Sequence, residues 1–246
     1  MIYNFGQKES QSEISERLKI DQSKAVYSLY TNVVWDAASA QKEVVFDNAV
    51  DWVMQTISWF IENPEKQLIV KIHPAEVVIG TKQPFLKVIK DNFSKLPSNI
   101  IIIPPDQKVN SWSIYDITDC GIVHTSTPGL ELPLSGKPCI VVSETHYRNK
   151  GFTIDVKSKK EYFNILNDHP KNLFEKNKLI ELSRKYAYLF FIKCAIPFPF
   201  IESGNGPNDI KKLNIDNYDS IIKNRSIHFI LKSIENKSSF VPKIDL

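Results

Sequence analysis

The chain has little cysteine, no long unbroken apolar run and almost no imbalance of charge, and each shortage closes off a class of protein. Its three cysteines, Cys120, Cys139 and Cys194, are an odd number at wide spacing. That pattern argues against a disulfide framework or thiolate metal site and for buried free thiols in a reducing compartment. The longest greasy stretch, Tyr186 to Ile201, is broken by Lys193, Pro197 and Pro199 and falls short of the about 20 apolar residues that a membrane-spanning helix needs. Net charge is only +3, from 31 basic and 28 acidic side chains, too small and too evenly spread to indicate a nucleic-acid partner. No Gly-x-Gly-x-x-Gly follows a strand-like run and there is no P-loop, so nicotinamide-dinucleotide and ATPase readings lose their usual support. Metal-ligating clusters, internal repeats and low-complexity segments are also missing, and no cofactor or metal is expected. Met1 is followed by polar, helix-prone sequence in place of a secretory leader, which sets the expected location as cytoplasmic, with peripheral contact at the inner face of the cytoplasmic membrane compatible.

What is present is an alternation of strand and helix patterns. With 246 residues, 42% of them hydrophobic, the chain is long enough to bury one substantial core. A lead-in helix at Gln11 to Leu18 precedes a strand at Ala25 to Tyr30. A helix at Asp47 to Ile61 follows, with Val50, Val53, Met54, Ile57 and Phe60 at helical spacing and Asn63-Pro64 ending it. Strands at Leu68 to Ile72, Ile100 to Ile103, Gly121 to Val123 and Pro138 to Val142 alternate with helices at Pro84 to Leu96, Ser111 to Ile117 and Pro128 to Leu134. About five strands with intervening helices predict an α/β protein: a Rossmann-like, doubly wound parallel sheet with helices on both faces. Helices at Lys159 to Leu166, Glu175 to Ile196 and Tyr218 to Ile234 follow, with a Pro/Gly-containing turn region at Pro197 to Asn214. The expected organisation is a helical lead-in over 1–23, a Rossmann-like domain over 24–170 and a helical extension over 171–246 packed on it.

The chemistry-bearing residues cluster after the strands, at the edge where open α/β sheets bind ligands. His73 precedes Pro74, whose ring disfavours helix at His73 and holds the imidazole at a strand end. It reads either as a strand cap or as a donor to phosphate, with an unperturbed pKa of about 6.5 that permits protonation near neutrality. Thr125, Ser126 and Thr127 place three hydroxyls at a strand-to-helix turn, followed by Pro128, suited to a first helical turn, and Gly129, which permits close backbone approach. Helix capping by Ser126 or Thr127 and a phosphate cradle using the helix N-terminus are both open. Glu131 serves either the helix dipole or ribose hydroxyls. His146, Arg148 and Lys150 form either a solvated basic loop or a clamp for phosphate or a sugar carboxylate. Asn32 and Asp36 follow the first strand at the same edge as possible donor contacts, with Asp36 also a catalytic candidate, and Trp35 beside them reads as packing or as a base-stacking ring.

The combination of Thr31 to Asp36, Ile72-His73-Pro74-Ala75-Glu76, Thr125 to Glu131 with Gly136-Lys137-Pro138, and His146 to Thr153 resembles bacterial capsule polysaccharide biosynthesis proteins. These are glycosyltransferases of the two-domain GT-B type, related to the Kdo transferases of capsule assembly and more remotely to bacterial sialyltransferases. The resemblance spans roughly residues 15 to 200 and rests on the order and spacing of the motifs. It implies that His73 contacts the donor phosphate and is the catalytic group, that Ser126 and Thr127 serve the same phosphate, where the turn reading adds Thr125 and Gly129, and that Glu131 holds the nucleotide ribose. It further implies a CMP-activated, Kdo- or sialic-acid-like donor and a polysaccharide or glycolipid acceptor. The match covers only the donor-binding half of such an enzyme, so an N-terminal acceptor domain or a separate partner chain is expected to complete it, and the catalytic base with it. Tyr186 to Ile201 then reads either as core packing or as a surface toward that absent half. A non-catalytic nucleotide-sugar-binding subunit and a UDP-sugar epimerase-like protein are the alternatives.

Overall fold

The computed structural model describes residues 6–34, 41–78, 80–168, 170–204, 210–215 and 217–241. In chain order the elements are α1 (Gln11–Leu18), β1 (Ala25–Tyr30), α2 (Ala49–Glu62), β2 (Lys66–Lys71), α3 (Ala75–Val78), α4 (Phe85–Asn92), β3 (Ile100–Ile103), α5 (Ser111–Ile117) and β4 (Cys120–Val123). After them come α6 (Pro128–Leu134), β5 (Cys139–Val141), β6 (Ile154–Asp155), α7 (Lys159–Asn167), α8 (Lys176–Tyr188), β7 (Ile201–Ser203), β8 (Ile210–Leu213), α9 (Tyr218–Ile222) and α10 (Arg225–Glu235). The chain divides into two compact units, 3–184 and 185–246, with the division inside α8 and beyond the 170/171 boundary expected from the sequence.

In the first unit six parallel strands run in the order β3-β2-β1-β4-β5-β6. β1 to β5 lie where the apolar runs place them. β6 is additional, pairing Ile140 with Ile154 and Val141 with Asp155; at two residues it is too short to give a periodic signal. The four central strands, β2, β1, β4 and β5, are buried on both faces, as covered parallel strands must be, whereas β3 and β6 at the sheet edges are partly exposed. Alternate side chains divide between the two faces. Tyr27, Leu29, Leu68, Val70 and Ile122 join Trp52, Val53, Ile57 and Phe60 of α2, Phe85 and Ile89 of α4 and Tyr162 and Leu166 of α7 in one core. The other set, including Tyr30 and Lys71, shares its face with α5, where the Tyr30 and Tyr115 rings meet edge-on at 5.6 Å.

Local chemistry sets the helix starts. Ser10 and Glu13 form a reciprocal capping box at α1, and the Asn48 side chain accepts the Asp51 amide at α2. Cys120 and Cys139 are buried thiols on β4 and β5, and Cys194 is half-buried; all three are free.

The second unit departs from expectation. The helix begun at Lys176 gives way after Tyr188 to a π-helical turn, Leu189–Lys193. Within the Pro197–Asn214 turn region, β7 and β8 form an antiparallel pair. The final helix is two helices, because the Asn224 side chain accepts the amides of Ser226 and Ile227 and starts α10 afresh. Tyr188 to Ile192 are exposed and not core. Among the described residues no helix is long and apolar enough to cross a membrane.

Candidate functional site

Register brings the site together. Tyr30 of β1 pairs with Lys71 of β2 and with Val123 of β4, so Thr31-Asn32, Ile72-His73 and His124-Thr125 leave the sheet side by side. β1 and β4 are also where the strand order reverses, the crevice at which doubly wound sheets take ligands. The Asn32 amide spans it: Nδ2 donates to Thr125 Oγ1 at 2.8 Å, and the Thr125 N–H reaches Asn32 Oδ1 at 3.4 Å. On the other side of β1 the His73 N–H donates to Thr31 Oγ1 at 3.0 Å. The Ala75 N–H donates to His73 Nδ1 at 3.1 Å, which places the proton of the neutral ring on Nε2, the nitrogen able to donate to an anion.

The 124–129 turn is held from below. Ser126 Oγ lies 3.5 Å from the Tyr30 carbonyl, and Tyr147 donates its hydroxyl to the Ser126 carbonyl at 2.7 Å. Gly129 is required because Tyr147 passes where a Cβ would stand, with its Oη 2.3 Å away. The capping alternative for these hydroxyls does not hold: Thr127 is the N-cap of α6 but sits in a helical conformation and makes no side-chain cap bond. Thr127 is exposed and Thr125 and Ser126 are half-buried.

Arg148 is a correction. Its side chain is buried, with Nη1 donating to the carbonyls of Val141 and Ser143 and Nη2 to that of Val156. These carbonyls lie at the ends of the last parallel strands, and satisfying them takes both Nη1 donors and one of Nη2, while Nε lies 3.8 Å from the Glu144 carboxylate, so the buried side chain is held by the fold and not presented to a ligand anion. His146 and Lys150 on the same connection are exposed, and partial desolvation of the imidazole lowers the His146 pKa. Asp36 and Trp35 lie outside the described residues. Glu131 accepts the Tyr115 hydroxyl at 2.6 Å.

Three ionisable residues were not singled out from sequence. Lys71, buried, donates to the Val109 carbonyl at 2.9 Å and to Ser111 Oγ at 2.6 Å; burial lowers its pKa to about 8 against the opposing effect of the Glu131 carboxylate. Glu76 accepts the Phe85 amide, and burial raises its carboxyl to about 7. His124 lies 5.9 Å from the Trp52 ring, its Nδ1 is buried without a hydrogen-bond partner, and burial lowers its pKa to about 4. The one available signal was polar residues within or just after apolar strands, which Lys71 and His124 share with ordinary strand ends. Among the described residues no group of three or more His, Cys, Asp or Glu could hold a metal ion.

A parallel sheet in 3-2-1-4-5-6 order with polar side chains bridging its reversal point defines the doubly wound α/β class. Within that class the chain belongs to the capsule polysaccharide biosynthesis protein family, whose sequence pattern matches residues 2–187. No curated protein matches it. Similar solved structures include the beta Kdo 2,7 transferase KpsC of Thermosulfurimonas dismutans, at 18% identity over 70% of this chain and 50% of that one, with a TM-score of 0.41. The wall teichoic acid polymerase TagF is similar at 12% identity over 72% of this chain and 42% of that one, TM-score 0.47. UDP-GlcNAc 2-epimerase from Neisseria meningitidis, bound to UDP-GlcNAc, is similar at 15% identity over 74% and 48%, TM-score 0.46. The chain spans about half the length of these structures.

Proposed function

We propose that the chain is the nucleotide-sugar-binding half of a glycosyltransferase of capsule or surface polysaccharide synthesis, with a CMP-activated, Kdo- or sialic-acid-like sugar as donor. The observation that carries this reading is the Asn32–Thr125 bridge across the sheet reversal, with His73 held one strand away through Thr31. Family membership supports it.

In this reading an acceptor hydroxyl attacks the anomeric carbon, the bond from that carbon to the phosphate oxygen breaks, and CMP departs with added negative charge. Donors fixed in advance where that charge develops lower the barrier. Nε2 of His73 supplies one, and the hydroxyls of Thr125, Ser126 and Thr127 supply others. Glu131, which also accepts the Tyr115 hydroxyl, is assigned to the ribose hydroxyls, Lys150 adds positive potential from its exposed loop, and His146 beside it offers a neutral imidazole to the donor. Arg148 takes no part. The base that accepts the proton of the acceptor, and the acceptor site for a polysaccharide or glycolipid, belong to a second domain or partner chain at the cytoplasmic face of the membrane.

Thermal unfolding with CMP, UDP or GDP tests the proposal. A ligand at one hundred times its Kd stabilises by about 2.7 kcal/mol, a shift of roughly 5–10 °C for a chain of this size. CMP is expected to give the largest shift. His73→Asn, which retains an acceptor for the Ala75 amide, is expected to abolish it. Equal, negligible shifts for all three nucleotides would remove the donor site; a shift with UDP alone would favour epimerase-like chemistry.

A further inference from the structure

We propose that Tyr115 is a positioning residue that fixes the Glu131 carboxylate so that the site accepts a ribonucleotide and discriminates against its 2′-deoxy analogue, a role that rests on the nucleotide reading above. α5 starts at Ser111, after the end of β3, and α6 starts at Pro128, after the end of β4. The opening turns of both helices therefore lie at the ligand edge of the sheet. Tyr115 of α5 donates its hydroxyl to Glu131 Oε2 at 2.6 Å, and Oε1 accepts no hydrogen bond from the described residues. Glu131 is only half-buried, which leaves that second oxygen for a ligand.

The donor of this pair is fixed by its surroundings. Tyr115 is 1% exposed, and its ring meets those of Tyr30 and Trp112 edge-on at 5.6 and 5.2 Å. Burial raises its phenol well above the ordinary value, so the group remains a donor. A glutamate on an open helix surface samples several rotamers, and its terminal torsion is broad. Held by a rigid phenol, Glu131 loses that freedom before a ligand arrives, and less is lost on binding. Lys71, at the end of β2 on the same face of the sheet, attracts the same carboxylate electrostatically while donating to the Val109 carbonyl and Ser111 Oγ. An ionised carboxylate accepts hydrogen bonds and donates none, so it suits the sugar hydroxyls of a nucleotide and repels its phosphate. The helix dipole accounts for an acidic residue in the first turn of α6, but not for a buried phenol from a second helix holding one of its oxygens.

Isothermal titration calorimetry of the full chain with CMP and with 2′-deoxy-CMP tests the role. The parent is expected to bind CMP at least about tenfold more tightly, the effect of one hydrogen bond from a hydroxyl to a charged acceptor. Tyr115→Phe keeps the packed ring and removes the donor. It is expected to weaken CMP binding about three- to tenfold and to leave 2′-deoxy-CMP within about twofold of the parent, so that the preference falls. Glu131→Gln keeps the shape and an acceptor for Tyr115 but carries no charge, and is expected to lower the preference as well. Tyr30→Phe removes another hydroxyl from the same buried cluster, one that has no hydrogen-bond partner, and is expected to leave both affinities unchanged. Circular dichroism melts check that the three variants fold. A Tyr115→Phe chain that binds both nucleotides as the parent does, or loses both equally as a mere tie between α5 and α6 would require, overturns the proposal, and an unchanged preference in Glu131→Gln overturns it independently. A parent that binds the two nucleotides equally also overturns it while leaving the nucleotide reading in place, whereas a parent that binds neither removes both.

Discussion

Replacing Gly129 by alanine tests how the 124–129 turn is held. In a helix the added methyl group is normally favourable by about 0.5–1 kcal/mol. Here it would stand 2.3 Å from Tyr147 Oη, 2.6 Å from Cζ and 2.7 Å from Cε2, far inside the about 3.5–4.0 Å of ordinary contact. Tyr147 is fully buried and cannot swing into solvent, so the core must accommodate the extra volume at about 1–3 kcal/mol. Displacing the ring also breaks its bond to the Ser126 carbonyl, adding about 1–3 kcal/mol if that carbonyl finds no replacement. After the helix gain is deducted, Gly129→Ala should destabilise by about 2–4 kcal/mol and lower Tm by roughly 5–10 °C. Tyr147→Phe alone should cost about 1 kcal/mol, and the double variant should be more stable than the sum of the two single effects, because the first-struck atom and the bond are already gone. Circular dichroism melts of the four proteins measure all three quantities. A Gly129→Ala Tm equal to or above the parent value would refute the close approach and the positioning of Ser126 built on it.

Two further perturbations separate structure from chemistry. Arg148→Met leaves three strand-end carbonyls without a donor and should cost about 3 kcal/mol or more in urea unfolding, while the CMP-induced rise in stability persists; a stable variant deaf to CMP would return Arg148 to the ligand. Burial raises the Glu76 carboxyl from an ordinary 4.5 to about 7, so the folded chain favours the neutral acid. Its contribution is whole below the unfolded value and is lost as pH rises through about 7. Glu76→Gln should therefore gain stability relative to the parent between about pH 5 and pH 8, and parallel urea curves showing no relative gain would contradict the burial argument.

The sequence reading was most accurate where turn-forming residues flank a periodic run. α5 begins just after Asn110 and α6 at Pro128, and both occupy the expected residues, as do β1 and β3. It failed where an element is short or wet. Ile154–Asp155 has no period to detect, and β8 is exposed along its whole length, which removes the alternation that marks a half-buried strand. The Asn224 cap looked like one more polar residue in an apolar helical pattern. At the site, the strand-end placement of Asn32, His73 and Thr125 was legible because it depends only on strand order. The commitment of Arg148 was not, since an arginine among polar residues reads alike whether it meets an anion or three carbonyls. Nor was the link from Tyr115 to Glu131, which joins two helices through a fold that neither segment encodes alone.

The free cysteines have a practical corollary. Cys120 and Cys139 are sealed in neighbouring strands, and burial raises the pKa of both thiols, which suppresses the reactive thiolate. Cys194, next to the π-helical turn, is the partly accessible one. A fluorophore carrying a maleimide should thus attach to the unmodified chain at one position, and its emission would report on the surroundings of the π-helical turn without any engineered label site.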